Sequence, residues 1–193
     1  MLSQKLKDKN IILASGSPRR QELFKELDIK FSIKVKQIDE VYDSTLKAEQ
    51  ITNYLALKKA EAFESELLEN DLVITSDTIV WHNSKPLEKP KNEQEAIIML
   101  QSLSGTSHTV ITSVCFKSKK KQKVFYDSTQ VFFKKLTHNE ITYYVKKYKP
   151  FDKAGAYGIQ EWIGFIGVTK LIGSYFNVMG FPVHKVYEEL LKF

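Results

Sequence analysis

The sequence lacks the features that mark a secreted, membrane-spanning or zinc-stabilised protein. Cys115 is its only cysteine, so an intrachain disulfide is excluded and nothing points to an oxidising compartment. No apolar run nears the roughly 18 residues needed to span a bilayer. The segment before Ile11 carries Lys5, Lys7 and Lys9 and no apolar stretch of signal-peptide length, so the cytoplasm is the expected location and no membrane partner is expected. The phosphate-binding pattern G-x-x-x-x-G-K-[ST] and the fingerprint G-x-G-x-x-G are both missing, which leaves P-loop and dinucleotide-binding readings unsupported. The G-x-S-x-G elbow is missing too, which argues against Ser15 or Ser17 as an acyl-transfer nucleophile. His82, His108, His138 and His184 are scattered without ligand spacing, so no structural zinc site is expected.

What remains has the composition of a folded protein. The 193 residues are 42% hydrophobic and 27% charged, enough for one domain or one core with two lobes. The formal charge of +6, from 29 Lys and Arg against 23 Asp and Glu, attracts polyanions: nucleotides, nucleic acid or anionic membranes. Much of the surplus lies in Lys117, Lys119, Lys120, Lys121 and Lys123. Strand-like sequence flanks them, so they read as a solvated hairpin tip rather than a docking surface.

Periodicity gives an alternation of strands and helices. Ile11–Leu13 reads as a buried strand running into Ser15-Gly16-Ser17-Pro18. A helix follows with Ser17 as cap, Pro18 at its first position and Leu23, Phe24 and Leu27 as its buried stripe. Phe31, Ile33 and Val35 alternate like a half-buried strand, a long helix is expected over 47–68, and Leu72–Thr75 forms another buried strand. Ile79–Trp81, with turn residues from His82 to Pro86, predicts a hairpin. Ala96, Ile97, Leu100 and Leu103 predict a helix that Gly105 closes in the left-handed region. Two β segments follow, over 108–116 and 124–134. Next comes a helix opened by a capping box of Thr137 and Glu140 and closed by Pro150, then extended chain over 165–172 and a C-terminal amphipathic helix. The two adjacent β segments after Gly105 argue for a mixed rather than a parallel sheet within an α/β fold.

Three stretches carry residues suited to chemistry. In Ala14–Arg20 the hydroxyls of Ser15 and Ser17 and the guanidiniums of Arg19 and Arg20 surround an expected helix N-terminus. This is an anion site by its unpaired N–H groups and forked donors, although an ordinary capped helix fits the same residues. Asp77 stands where the strand Leu72–Ser76 emerges, placed to bind a divalent metal, to take a proton from water, or simply to form an Asx turn. In Asp152–Gln160 small residues let backbone approach a ligand, and the Gln160 amide can read a base edge; a tight connection is the plainer account. Lys89 is held extended by Pro90, and Lys58 and Lys59 lie in the long helix.

Taken in order, Ala14–Arg20, Ser76–Val80, Glu88–Pro90, Leu103–Gly105 with His108, Asp152–Gln160 and Asn177–Pro182 resemble the Maf family of nucleotide pyrophosphatases over nearly the whole chain after Lys9. The resemblance implies a mixed, twisted central sheet with flanking helices and two lobes around a nucleotide cleft, of Maf/ITPase-like type. It also implies one domain over 1–193, with 1–9 as a basic N-terminal extension, and a homodimer. The implied reaction takes nucleoside triphosphates to monophosphate and pyrophosphate, with a divalent cation, Mg²⁺ or Mn²⁺, as cofactor.

Carried over by position, Asp77 matches the catalytic carboxylate and Ser15, Arg20, Lys59 and Lys89 match phosphate-holding positions, with Ser17 in the same loop. Glu40, with Asp77, matches an acidic position assisting metal or water. Arg19, Thr78 and Gln160 match the dTTP/UTP branch rather than the branch that prefers 7-methyl-GTP. The basic extension, the lysine cluster and Phe181, where leucine is usual, depart from the family pattern and are expected to be peripheral. A reading from another class is a non-catalytic regulator of septum formation acting through protein or nucleic-acid contacts; on the enzymatic reading nucleic-acid binding is not expected.

Overall fold

The computed structural model describes residues 1–193. In chain order the elements are α1 (Leu2–Lys5), β1 (Asn10–Leu13), α2 (Pro18–Lys25), β2 (Ser32–Ile33), α3 (Glu49–Glu61), β3 (Asp71–His82), β4 (Lys85–Leu87) and α4 (Glu93–Leu103). Then come β5 (Ser107–Lys117), β6 (Gln122–Phe133), α5 (His138–Tyr148), α6 (Trp162–Gly167), β7 (Val168–Ile172), α7 (Tyr175–Val178) and α8 (Val183–Leu190). The strands form a seven-stranded sheet in the order β2-β1-β3-β5-β6-β7, with β4 paired to β3. β1 runs parallel to β2 and β3, whereas β3–β4 and β6–β7 are antiparallel, so the sheet is mixed, as the sequence leads one to expect.

The chain divides into two compact units. One comprises Met1–Asp77, Thr112–Asp127 and Gly180–Phe193, the other Thr78–Ile111 and Ser128–Met179. In the first unit α3 is fastened to the strands by two buried hydroxyl contacts, Thr52 to Ser113 at 2.6 Å and Thr75 Oγ1 to the Ala56 carbonyl at 2.6 Å. Phe24 packs edge-on against both Phe31 and Phe181. Leu2 and Leu6 are buried and Phe181 is fully so; the extension and Phe181 each contribute apolar surface to this unit's core. Each of four cluster lysines has a partner: Lys117 meets Glu64 at 3.5 Å, Lys120 pairs with Glu69, Lys123 with Glu189, and Lys121 lies over the Phe193 ring.

The second unit is built on a core of Val80, Leu100, Val110, Val131, Ile141, Tyr144, Ile159 and Ile163 with their neighbours. The capping box forms as predicted, Thr137 and Glu140 each bonding the other's backbone N–H. Gly105, at φ +69°, follows the end of α4. The β3–β4 hairpin turns on Asn83 and Ser84, both at positive φ, the backbone that a two-residue primed turn requires.

Four local expectations are corrected. Ser17 stands at the N-cap of α2 but makes no side-chain cap bond; its own N–H donates to Ser15 Oγ at 3.3 Å. The strand expected around Phe31–Val35 shrinks to Ser32–Ile33 at the sheet edge, with Ile33 and Val35 about half exposed (49% and 53%), because no layer covers them. The helix expected over 47–68 is α3, which ends at Glu61, with a 3₁₀ turn at Glu64–Glu66. The extended chain expected from Phe165 begins at Val168, after α6.

Candidate active site

In the first unit β1 delivers the loop Ala14–Ser17 to the start of α2, and the loop is held from within. Gln21 Nε2 donates to the Ser15 carbonyl at 2.9 Å, and Ser15 itself is buried. In the first turn of α2, Arg20 reaches to β3, and Ser76 and Asp77 stand in the middle of that continuous strand rather than where it ends. Its Nε donates to the Gly180 carbonyl at 2.8 Å and its Nη1 to the Ser76 carbonyl at 2.8 Å. Desolvation lowers the Arg20 pKa, nearby Asp77 and Glu40 oppose that shift, and Arg19 adds to it. Arg20 therefore lies within electrostatic reach of both carboxylates.

Side chains alternate along a strand, so Thr75 and Asp77 share a face of β3. Thr75 binds the Ala56 carbonyl of α3, which fixes the register of helix on strand and brings Lys59, about one turn on, over Asp77. The Lys59 ammonium then sits 2.7 Å from Asp77 Oδ1 and 2.7 Å from Glu40 Oε1. Glu40 is carried on an irregular segment tied to α3 by Lys36 Nζ to the Ala62 carbonyl at 2.8 Å and Lys58 Nζ to the Val41 carbonyl at 3.2 Å. One cation thus holds two carboxylates from separate parts of the chain, with a guanidinium nearby.

Of the sequence-selected residues, Ser15, Ser17, Arg19, Arg20, Glu40, Lys59 and Asp77 lie in this unit, and Arg20, Glu40, Lys59 and Asp77 form one charged cluster. Thr78, Lys89 and Gln160 belong to the second unit. There Lys89 is exposed, Thr78 and Gln160 are partly buried, and Gln160 Oε1 is buried without a hydrogen-bond partner. The Gly155 N–H donates to the Glu88 carbonyl at 3.2 Å, joining the glycine-containing loop to the segment that carries Lys89.

Residues not singled out from the sequence also enter. Ser76 and Gly180 supply the carbonyls that hold Arg20, and Ser76 Oγ is itself buried and unbonded. A backbone acceptor leaves no mark on side-chain type, so only the positions beside Asp77 and within Asn177–Pro182 pointed to them. A cavity of about 710 Å³ elsewhere in the first unit, edged by Lys7, Lys9 and Lys30, includes none of the selected residues. No group of three or more His, Cys, Asp or Glu side chains is placed to hold a metal by itself. No helix is long and apolar enough to cross a membrane.

Comparison with known proteins gives the family. A dTTP/UTP pyrophosphatase of Flavobacterium johnsoniae is 58% identical over 190 residues, 98% of each chain. One of Bacteroides fragilis is 52% identical over 181 residues, 93% of this chain and 94% of its own. Among solved structures, a HAM1 protein from Coxiella burnetii superposes with a TM-score of 0.55 at 16% identity, over 96% of this chain and all of that one, a likeness of fold alone. The family model described as Maf-like protein matches residues 10–193, and the chain belongs to that family.

Proposed function

We infer that the chain hydrolyses nucleoside triphosphates, dTTP and UTP foremost, to the nucleoside monophosphate and pyrophosphate. Its near-full-length likeness to dTTP/UTP pyrophosphatases supports the substrate class. The single observation that carries the chemistry is the Lys59 ammonium held at 2.7 Å from both Glu40 and Asp77 beside Arg20. The arrangement pairs positive charge for a polyphosphate with carboxylates for water.

In this reading Ser15, Ser17, Arg20, Lys59 and Lys89 take the phosphates, while Arg19, Thr78 and Gln160 set the base preference. Water attacks the α-phosphorus, the bond to the bridging oxygen breaks, and pyrophosphate leaves. Asp77 orients that water and accepts its proton, while Arg20, Lys59 and Lys89 neutralise charge gathering on the leaving group. The donor set fits a divalent cation. Mg²⁺ is bound through one or two carboxylates together with substrate phosphates and water, and Glu40 and Asp77 supply two carboxylates with oxygens on one shared lysine. Bound there, Mg²⁺ or Mn²⁺ supplies Lewis-acid charge stabilisation at the phosphates.

The catalytic domain in this proposal is the whole chain, since the family match runs through both units, and residues 1–9 act as an extension packed on it. A homodimer in the cytoplasm belongs to the same reading. The lone buried thiol Cys115 supports the location, and light scattering tests the oligomer. No observation favours the non-catalytic reading, and the ion-paired lysine cluster weakens its basic docking surface.

The test is to incubate purified protein with a panel of triphosphates and Mg²⁺ or Mn²⁺ and to identify products. Monophosphate with pyrophosphate supports the inference, whereas orthophosphate from the terminal position refutes it. Asp77→Asn is expected to lower turnover by a factor on the order of 10²–10⁴ while preserving the fold. A near-native rate in that variant removes Asp77 from the mechanism.

A further inference from the structure

Gln160 occupies the third position of a tight turn, closed by the Glu161 N–H donating to the Gly158 carbonyl at 3.0 Å. Both ends of this turn meet a single group, the hydroxyl of Tyr144 on α5. The Gly158 N–H donates to it at 3.0 Å, and the hydroxyl in turn donates to Glu161 Oε2. The other carboxylate oxygen of Glu161 lies 3.1 Å from the ammonium of buried Lys153, which also binds Asp152 at 2.8 Å. Packing around the turn leaves no room for a side chain at either glycine. A Cβ on Gly158 would stand 2.9 Å from the Glu161 carboxyl carbon, and one on Gly164 only 1.9 Å from the Ile159 carbonyl oxygen.

Tyr144 is itself fully buried and stacked on Tyr148, with ring centroids 5.0 Å apart. Burial, with Glu161 adding to it, raises the hydroxyl pKa, so the phenol remains a donor throughout the working pH range. Within this frame Gln160 Oε1 is buried and bonds to nothing in the protein. A buried acceptor left unsatisfied is costly, and such a group persists where the surrounding structure over-determines its position, commonly at a ligand site.

We propose that Glu161 and Tyr144 form a clamp that positions Gln160 as a fixed acceptor for the ring N3–H shared by uracil and thymine. Cytosine presents a bare acceptor at that ring position, so a rigid carbonyl oxygen rejects it, whereas a mobile amide can turn its NH₂ towards it and accept both. The clamp thereby converts a side chain able to read either base into one that reads a single pattern. Glu161 and Tyr144 are positioning residues and act through Gln160, and the proposal rests on the reading of Gln160 as the base-contacting group.

The experiment compares kcat/KM for UTP and for CTP in the parent and in Gln160→Ala, Glu161→Gln, Tyr144→Phe and the double variant Gln160→Ala with Glu161→Gln, with folding checked by thermal melting. Glu161→Gln and Tyr144→Phe are expected to lower the UTP-to-CTP ratio by about tenfold, towards that of Gln160→Ala. The loss should fall on KM for UTP, with kcat changing less than about threefold. In the Gln160→Ala background, Glu161→Gln should leave the ratio unchanged.

A ratio preserved in Gln160→Ala overturns the reading of Gln160 and the clamp with it. A ratio lost in Gln160→Ala but preserved in both Glu161→Gln and Tyr144→Phe overturns the clamp alone. Equal losses of rate for both nucleotides, seen in either background, mark a merely structural role and also overturn it. If Glu161→Gln does not fold, Tyr144→Phe, which removes one oxygen from a buried ring, decides.

Discussion

Lys59→Met tests the charged cluster most directly, because it removes the one cation that joins two carboxylates and keeps the length of the side chain. In the parent, Lys59 and Asp77 are largely shielded, with side chains 18% and 10% exposed, while Glu40 is half exposed at 50%. Loss of one partner from a fully buried ion pair costs about 3–5 kcal/mol. Here Glu40 can return to water and only Asp77 is left shielded, so a cost of about 2 kcal/mol is expected, and it lowers the melting midpoint of a chain this size by roughly 4–8 °C.

Neutralising the stranded acid should reverse much of that cost. Asp77→Asn added to Lys59→Met is expected to recover about 1 kcal/mol, a coupling that a double-mutant cycle in urea measures. Pyrophosphate release should be lost in both variants, which separates the stability effect from the catalytic one. A midpoint within about 1 °C of the parent for Lys59→Met, or stability losses that simply add in the double variant, would refute the bridging contact.

Other outcomes follow from the same geometry. Gly164→Ala forces a methyl group onto the Ile159 carbonyl at 1.9 Å and should destabilise the protein by about 3 kcal/mol, read by urea denaturation. Burial, with a smaller contribution from His82, pushes the His108 pKa down to about 3. The unfolded chain therefore binds a proton below about pH 6.5 that the folded chain refuses until about pH 3. The stability from neutral His108 is fully present above about pH 6.5 and is lost as pH falls towards about 3; His108→Gln should flatten that part of the profile. Burial likewise pushes Cys115 up to about 12, an effect to which Glu61 adds and which Lys117 opposes; a thiol reagent at pH 8 should leave the native protein unmodified and label it on unfolding.

Much of the architecture was legible because its signals are local. Thr137 and Glu140 announce α5 by reciprocal capping, Gly105 marks the end of α4, and the apolar stripe of Val186 and Leu190 marks α8. The misreadings arise where distant contacts decide. Ile33 and Val35 alternate like the residues of a half-buried strand, but both stand about half exposed, at and beyond the end of a two-residue edge strand. Phe165 belongs to α6, whose close packing depends on Gly164 meeting a backbone five residues earlier. In the site, Asp77, Lys59 and Glu40 were selected one by one, and their meeting depends on the Thr75 bond to Ala56, which no spacing reveals. Tyr144 was legible only as an apolar helix position, because its hydroxyl's partners lie 14 and 17 residues further along the chain.

The hairpin lysines bear on a different property. Their acidic counterparts Glu64, Glu69 and Glu189 come from three places in the sequence, so cancellation is spatial and invisible to any count of charge along the chain. Each pair has at least one partner open to water and adds little to stability, but together they quench the local field that would otherwise gather polyanions. Replacing those three glutamates with glutamine would bare a basic ridge without adding one positive charge. Whether this surface attracts nucleic acid is thus governed by where its acids stand, not by how many bases it holds.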